Sequence, residues 1–135
     1  MVIRKYTLIA GLILVLLMAG CTNDVPGSNG RVPLSPPSWT IGSWEIKAGG
    51  EVISTLIFSK DNVVWTTNSI GLNFKEMKAA GAPITQVSTS SSTYSFNISD
   101  EGVTQTYSFT KTSDTTLRFS LNTNGFIQTL DYTKV

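Results

Sequence analysis

The chain has no histidine and only one cysteine, Cys21. Lacking histidine, it lacks the side chain most used for proton transfer near neutral pH and the commonest metal ligand. A lone cysteine cannot form a disulfide within the chain, so any folded domain must be held by its core. Serines are plentiful, but no Gly-x-Ser-x-Gly elbow surrounds one. Acids are few, and Asp61, Asp100, Glu101 and Asp114 fall where turns are expected, which is the cheaper account of them. Glu45 and Asp131 lie on predicted strands, and nothing in their spacing favours a catalytic pair over two solvated faces. The sequence therefore predicts no catalytic residue, no metal site and no cofactor, and the expected protein is not an enzyme.

Long apolar runs are also missing, with one short exception. Arg4 and Lys5 precede an apolar segment from Tyr6 to Gly20, which closes on the small residues Ala19 and Gly20. This is the three-part pattern of a secretory signal. Its fifteen residues fall short of the roughly 20 that a membrane-spanning helix needs. The stretch Leu17-Met18-Ala19-Gly20-Cys21 resembles the lipobox of bacterial lipoproteins, with Met18 where leucine is usual. The resemblance implies cleavage between Gly20 and Cys21 and a diacylglyceryl group on the Cys21 sulfur. Two or three acyl chains hold a protein on a bilayer where one gives marginal binding. It implies a membrane partner through the lipid and a place in the cell envelope outside the cytoplasm. Thr22 is not the aspartate that retains many such proteins at the inner membrane, which favours the outer membrane in a cell with two.

Removing residues 1–20 from the 135 leaves 115, and removing Arg4 and Lys5 from ten cations leaves eight against nine acids. The cations are scattered singly, so nucleic acid is not an expected partner. From Thr22 to Ser38 the chain is rich in Thr, Asn, Pro, Gly and Ser and has no hydrophobic period. Residues 21–38 thus read as a lipidated cysteine and a tether, able to hold the domain on the order of 20 to 25 Å from the lipid. Residues 39–135 form one domain.

That domain reads as an all-β, small antiparallel up-and-down barrel of about eight strands. Tyr94, Phe96 and Ile98 alternate with Ser95, Asn97 and Ser99. Tyr107 and Phe109 alternate with polar neighbours, as do Leu117, Phe119 and Leu121. Further strands are expected over Thr40 to Lys47, Glu51 to Lys60, Asn62 to Asn68, Ile84 to Ser88 and Phe126 to Lys134. Short turns at Gly49-Gly50, Lys60-Asp61, Asp100-Glu101-Gly102, Ser113-Asp114 and Asn124-Gly125 make neighbours antiparallel. Around 74–80 the period becomes helical through Phe74, Met77 and Ala80, with Asn73 and Glu76 at capping-box spacing and Gly81 to close the end.

Gly42-Ser43-Trp44 resembles the G-x-W start of lipocalins and of small lipocalin-like domains in bacterial lipoproteins. The resemblance implies that Trp44 plugs one end of the barrel under a packed arginine, for which Arg118 is the one candidate in the domain. It also implies a ligand cup, although this domain is much shorter than a full lipocalin. Trp44, Tyr94, Phe96, Tyr107, Phe109 and Phe119 are therefore read either as core or as ligand lining. Two functions follow: an envelope module that binds a small apolar ligand, or an interaction protein with a filled barrel, such as an inhibitor or an adhesion or assembly component. An exposed Trp39 or Trp65 favours a protein partner.

Overall fold

The structure, a computed structural model, describes residues 33–68 and 70–135. The signal segment 1–20, Cys21 and the tether as far as residue 32 lie outside the described residues. Nine strands follow in order: β1 (Gly42–Ala48), β2 (Glu51–Ser59), β3 (Asn62–Thr67), β4 (Ile70–Asn73), β5 (Ile84–Thr89), β6 (Thr93–Asp100), β7 (Val103–Lys111), β8 (Thr116–Thr123) and β9 (Phe126–Lys134). A short helix, α1 (Phe74–Ala79), joins β4 to β5. The strands form one curled antiparallel sheet in the order β4-β3-β2-β1-β9-β8-β7-β6-β5. The count is nine rather than about eight because β4 is present. The four residues of β4 include Gly71 and show only Ile70 and Leu72 as alternating positions.

The first and last strands meet, whereas β4 and β5 are the two edges of the sheet. Helix α1 lies in that seam. Asn73 caps it, its side chain accepting from the Glu76 N–H at 3.1 Å, and Asn62 steadies the cap by donating to Asn73 Oδ1 at 2.9 Å. Gly81, at φ 102°, ends the helix in a Schellman turn: Ala82 N–H donates to Met77 O and Gly81 N–H to Lys78 O. Phe74 is buried, with ring centroids 4.8 Å from Phe96 and 5.0 Å from Tyr107 on the strands across the seam. So short a helix has no stability of its own in water, and its apolar face is what holds it there.

One end of the barrel is capped by the segment before β1. Leu34 and Pro36 are buried, and Ser35 N–H donates to Gln86 Oε1 at 2.9 Å. Trp39, within a turn of 3-10 helix (Ser38–Thr40), donates to Ser90 O at 3.0 Å. The last residues of the segment read as tether, ahead of Trp39, are therefore packed along β5. Trp44 is buried beneath this cap, and its indole N–H donates to Thr40 O at 2.7 Å.

The cation on Trp44 is not Arg118. Lys134 Nζ stands 5.3 Å from the Trp44 ring centroid, because the ladder sets Lys134 directly opposite Trp44. Arg118 lies on the outer face, where Nε and Nη2 donate to the two carboxylate oxygens of Asp131 at 2.8 and 3.2 Å. Gly42 takes φ 125°, a conformation that side chains resist, so the glycine of the G-x-W triplet is required by the backbone.

Candidate functional site

The far end of the barrel, opposite the cap, is framed by the turns at Gly49-Gly50, Asn68, Ala80 to Pro83, Glu101-Gly102 and Asn124-Gly125. Strand pairing fixes which side chains face inward there. Trp65 stands opposite Leu56 and Leu72, both buried, and Leu130 stands opposite buried Phe119. Ile46 follows Trp44 by two on β1, and Ile70 precedes Leu72 by two on β4. These four face the interior, yet none is buried: Trp65 and Ile46 are half-buried, Ile70 is 43% exposed and Leu130 40%.

The cause lies in the ladders. Strands β1 and β9 share only Trp44 with Lys134 and Glu45 with Thr133, both near the cap. Beyond them no pairing holds β9 against β1. The β1–β2 ladder also shifts register between Ile46 and Lys47, and such a bulge bends the strand that carries it. The β1–β9 ladder is therefore not continued past Glu45 and Thr133, and the inward-facing Ile46 and Leu130 are left part-exposed.

The floor of the far end is polar, with its protons all committed. Trp65 N–H lies 3.0 Å from Tyr132 Oη and 3.2 Å from Ser54 Oγ. Ser54 Oγ donates to Thr66 O at 3.1 Å and lies 2.7 Å from Tyr132 Oη. Counting protons fixes the directions. An indole N–H can only donate, and the one serine proton goes to Thr66, so the Tyr132 hydroxyl must donate to Ser54. Burial pushes the Tyr132 phenol pKa up, against the opposing pull of its hydrogen bonds with Ser54 and Trp65.

Nearer the rim the inner face is mixed, with Phe126 opposite Thr123 and Ile98 opposite Gln105. Gln105 and Thr123 are opposite one another, and Gln128 is opposite Leu121. Gln105 is only 2% exposed, and its Oε1 accepts a long bond from the Tyr107 hydroxyl at 3.4 Å.

The aromatics singled out in the sequence lie together deeper inside. Trp44, Tyr94, Phe96, Tyr107, Phe109 and Phe119 are each at most 2% exposed. Phe96 stacks on Tyr107 and Phe109 on Phe119, both with centroids 5.1 Å apart, and Phe58 meets Phe109 edge-on at 5.0 Å. The capped half of the barrel is thus occupied by rings packed on rings. Burial raises the Tyr94 phenol pKa, and the Ser35 main chain close to the hydroxyl opposes the rise. Trp65 faces inward, and Trp39 packs against the core.

Glu45 and Asp131 do not pair: Glu45 is 3.8 Å from Lys47, and Asp131 is engaged by Arg118. Among the described residues, no three acidic or sulfur ligands converge as a metal would require. Ser54, Gln105, Ile70 and Leu130 were not singled out in the sequence. The available signal was a polar residue in an inward column, as with Ser54 before Leu56 and Phe58, or Gln105 before Tyr107 and Phe109. No protein-family model, no curated protein and no solved structure matches the chain.

Proposed function

We propose that this chain is a lipid-anchored, non-enzymatic protein of the bacterial cell envelope whose lipocalin-like barrel binds a small apolar ligand at its far end. The ligand reading is carried by one observation, the inward-facing but part-exposed set of Ile46, Trp65, Ile70 and Leu130. Apolar side chains aimed at an interior they do not fill leave surface that a hydrocarbon would cover. Because the aromatics fill the capped half, the ligand sits shallow. The lipobox resemblance at Leu17 to Cys21 supports the anchor.

The anchor is tested by metabolic labelling with an alkyne-tagged fatty acid followed by fractionation. Cys21→Ser is expected to lose the label and leave the membrane pellet, and a labelled or still membrane-bound variant rules the anchor out. The site is tested with Nile red, whose fluorescence should rise on the full chain and fail to rise on Leu130→Glu. Equal dye binding by both chains would remove the site.

A second reading has its own observation. Val135, Ser43, Ile57 and Val64 form one outward-facing row across β9, β1, β2 and β3, with Val135 72% and Ile57 44% exposed. This row supports an interaction protein. It is favoured if Ile57→Lys abolishes an in-cell cross-linked adduct while dye binding persists.

A further inference from the structure

The far end combines three features that together select a ligand. The floor offers no donor to a polar group, since every proton of Ser54, Trp65 and Tyr132 is committed. Burying an acceptor head against it would leave that head unpaired, at a cost of one or more hydrogen bonds. An acceptor-bearing ligand therefore meets the floor with its hydrocarbon.

The rim band differs. Gln105 Oε1 takes the Tyr107 hydroxyl, while its amide nitrogen donates to no described residue. Thr123 and Gln128 line the same inner face. An unused N–H2 beside a hydroxyl asks for an acceptor, such as an ester or hydroxyl oxygen, and an ammonium head has none to give.

Charge removes the anionic alternatives. None of the inward-facing residues of the site is charged. Of the surrounding turns, Glu51, Asp100 and Glu101 contribute acids. The nearby lysines are engaged: Lys47 lies 3.8 Å from Glu45, and Lys78 Nζ donates to Ile84 O at 2.7 Å. Among the described residues of the far end, a carboxylate or phosphate head would find like charge and no unpaired cation.

We infer that the ligand is a single-chain amphiphile with an uncharged, acceptor-bearing head, its hydrocarbon lying against Trp65 and Leu130 and its head at Gln105, Thr123 and Gln128. This rests on the reading that the far end binds an apolar molecule.

The test uses the full chain carrying Cys21→Ser, titrated below their aggregation concentrations with monododecanoyl glycerol, dodecanoate and dodecylamine. The glycerol ester is expected to bind at least about tenfold more tightly than dodecanoate at neutral pH, and more tightly than dodecylamine, which brings no acceptor to Gln105. Gln105→Leu should weaken the ester about fivefold, the worth of one hydrogen bond. Bromine at the methyl end of the ester's chain should quench the fluorescence that Trp65→Phe removes, several-fold more than bromine beside the ester.

Equal quenching by the two labels, or a charged probe binding as tightly as the ester, overturns the inference. Nile red binding with no ester binding overturns it too, while leaving the apolar site standing. Failure of the dye and all three amphiphiles to bind removes the site and the inference together.

Discussion

Tyr132 keeps its proton because its neighbours leave it no other part: Trp65 donates to it, and Ser54, its own proton spent on Thr66, can only accept. Tyr94 and Tyr107 are held neutral by burial, and all three phenols have pKa values raised above the ordinary tyrosine value. The sign of the linkage follows. The folded chain retains protons that the unfolded chain gives up near pH 10, so the contribution is whole below about pH 10 and is lost as pH rises above it. Unfolding free energies from urea titration are expected to be flat from about pH 7 to 9 and to fall above about 10, by up to roughly 1.4 kcal/mol per pH unit per phenol. Tyr132→Phe should make that alkaline slope shallower by about one proton. An unchanged slope would mean that the hydroxyl titrates freely in the folded chain.

At the scale of elements, three hairpins of the far end turn in two residues with positive φ at both: Gly49-Gly50, Glu101-Gly102 and Asn124-Gly125. These are type I′ turns, which suit the twist of the strands they join. Glu101, at φ 47°, is the one position held by a residue that resists the left-handed region. Glu101→Asn is expected to raise stability by about 0.5 to 1 kcal/mol, read from the urea midpoint. A loss would show that the glutamate makes a compensating contact.

Turn chemistry and two-residue alternation made eight of the nine strands legible, because each has several inward positions in a row. The helix was legible from Asn73, whose side chain caps the Glu76 N–H, and from Gly81, which closes the end. β4 escaped because Gly71 leaves it two signals. The choice between Arg118 and Lys134 over Trp44 depends on register between strands at opposite ends of the domain, which no local pattern encodes. The far-end site was hidden for the same reason. Leu130 reads as one more core residue until the β1–β9 ladder is seen to stop short of it.

Across the whole molecule the two ends are built differently. The cap is a strap without main-chain pairing to β5, fixed by side-chain bonds from Ser35 and Trp39 and by burial of Leu34. A composition of Pro and Ser gave no hint of this, since Leu34 is the one aliphatic residue among the buried positions of the strap. Leu34→Ala is expected to cost about 2 to 4 kcal/mol. It should also raise amide hydrogen exchange in β5 and β6 more than in the far-end hairpins. Uniform exchange across the sheet would show that the strap is not a separate unit.

The meeting of the first strand with the last bears on how the chain finds its shape. Seven of the eight ladders join strands consecutive in the chain, and the eighth joins β1 to β9 through two residue pairs. Hairpins can zip locally into a four-stranded and a five-stranded meander, but uniting them closes a loop of about 90 residues. Such long-range closure is slow relative to local pairing. Damage around Trp44 and Lys134 would therefore surface in refolding kinetics, as two halves that form promptly and dock late.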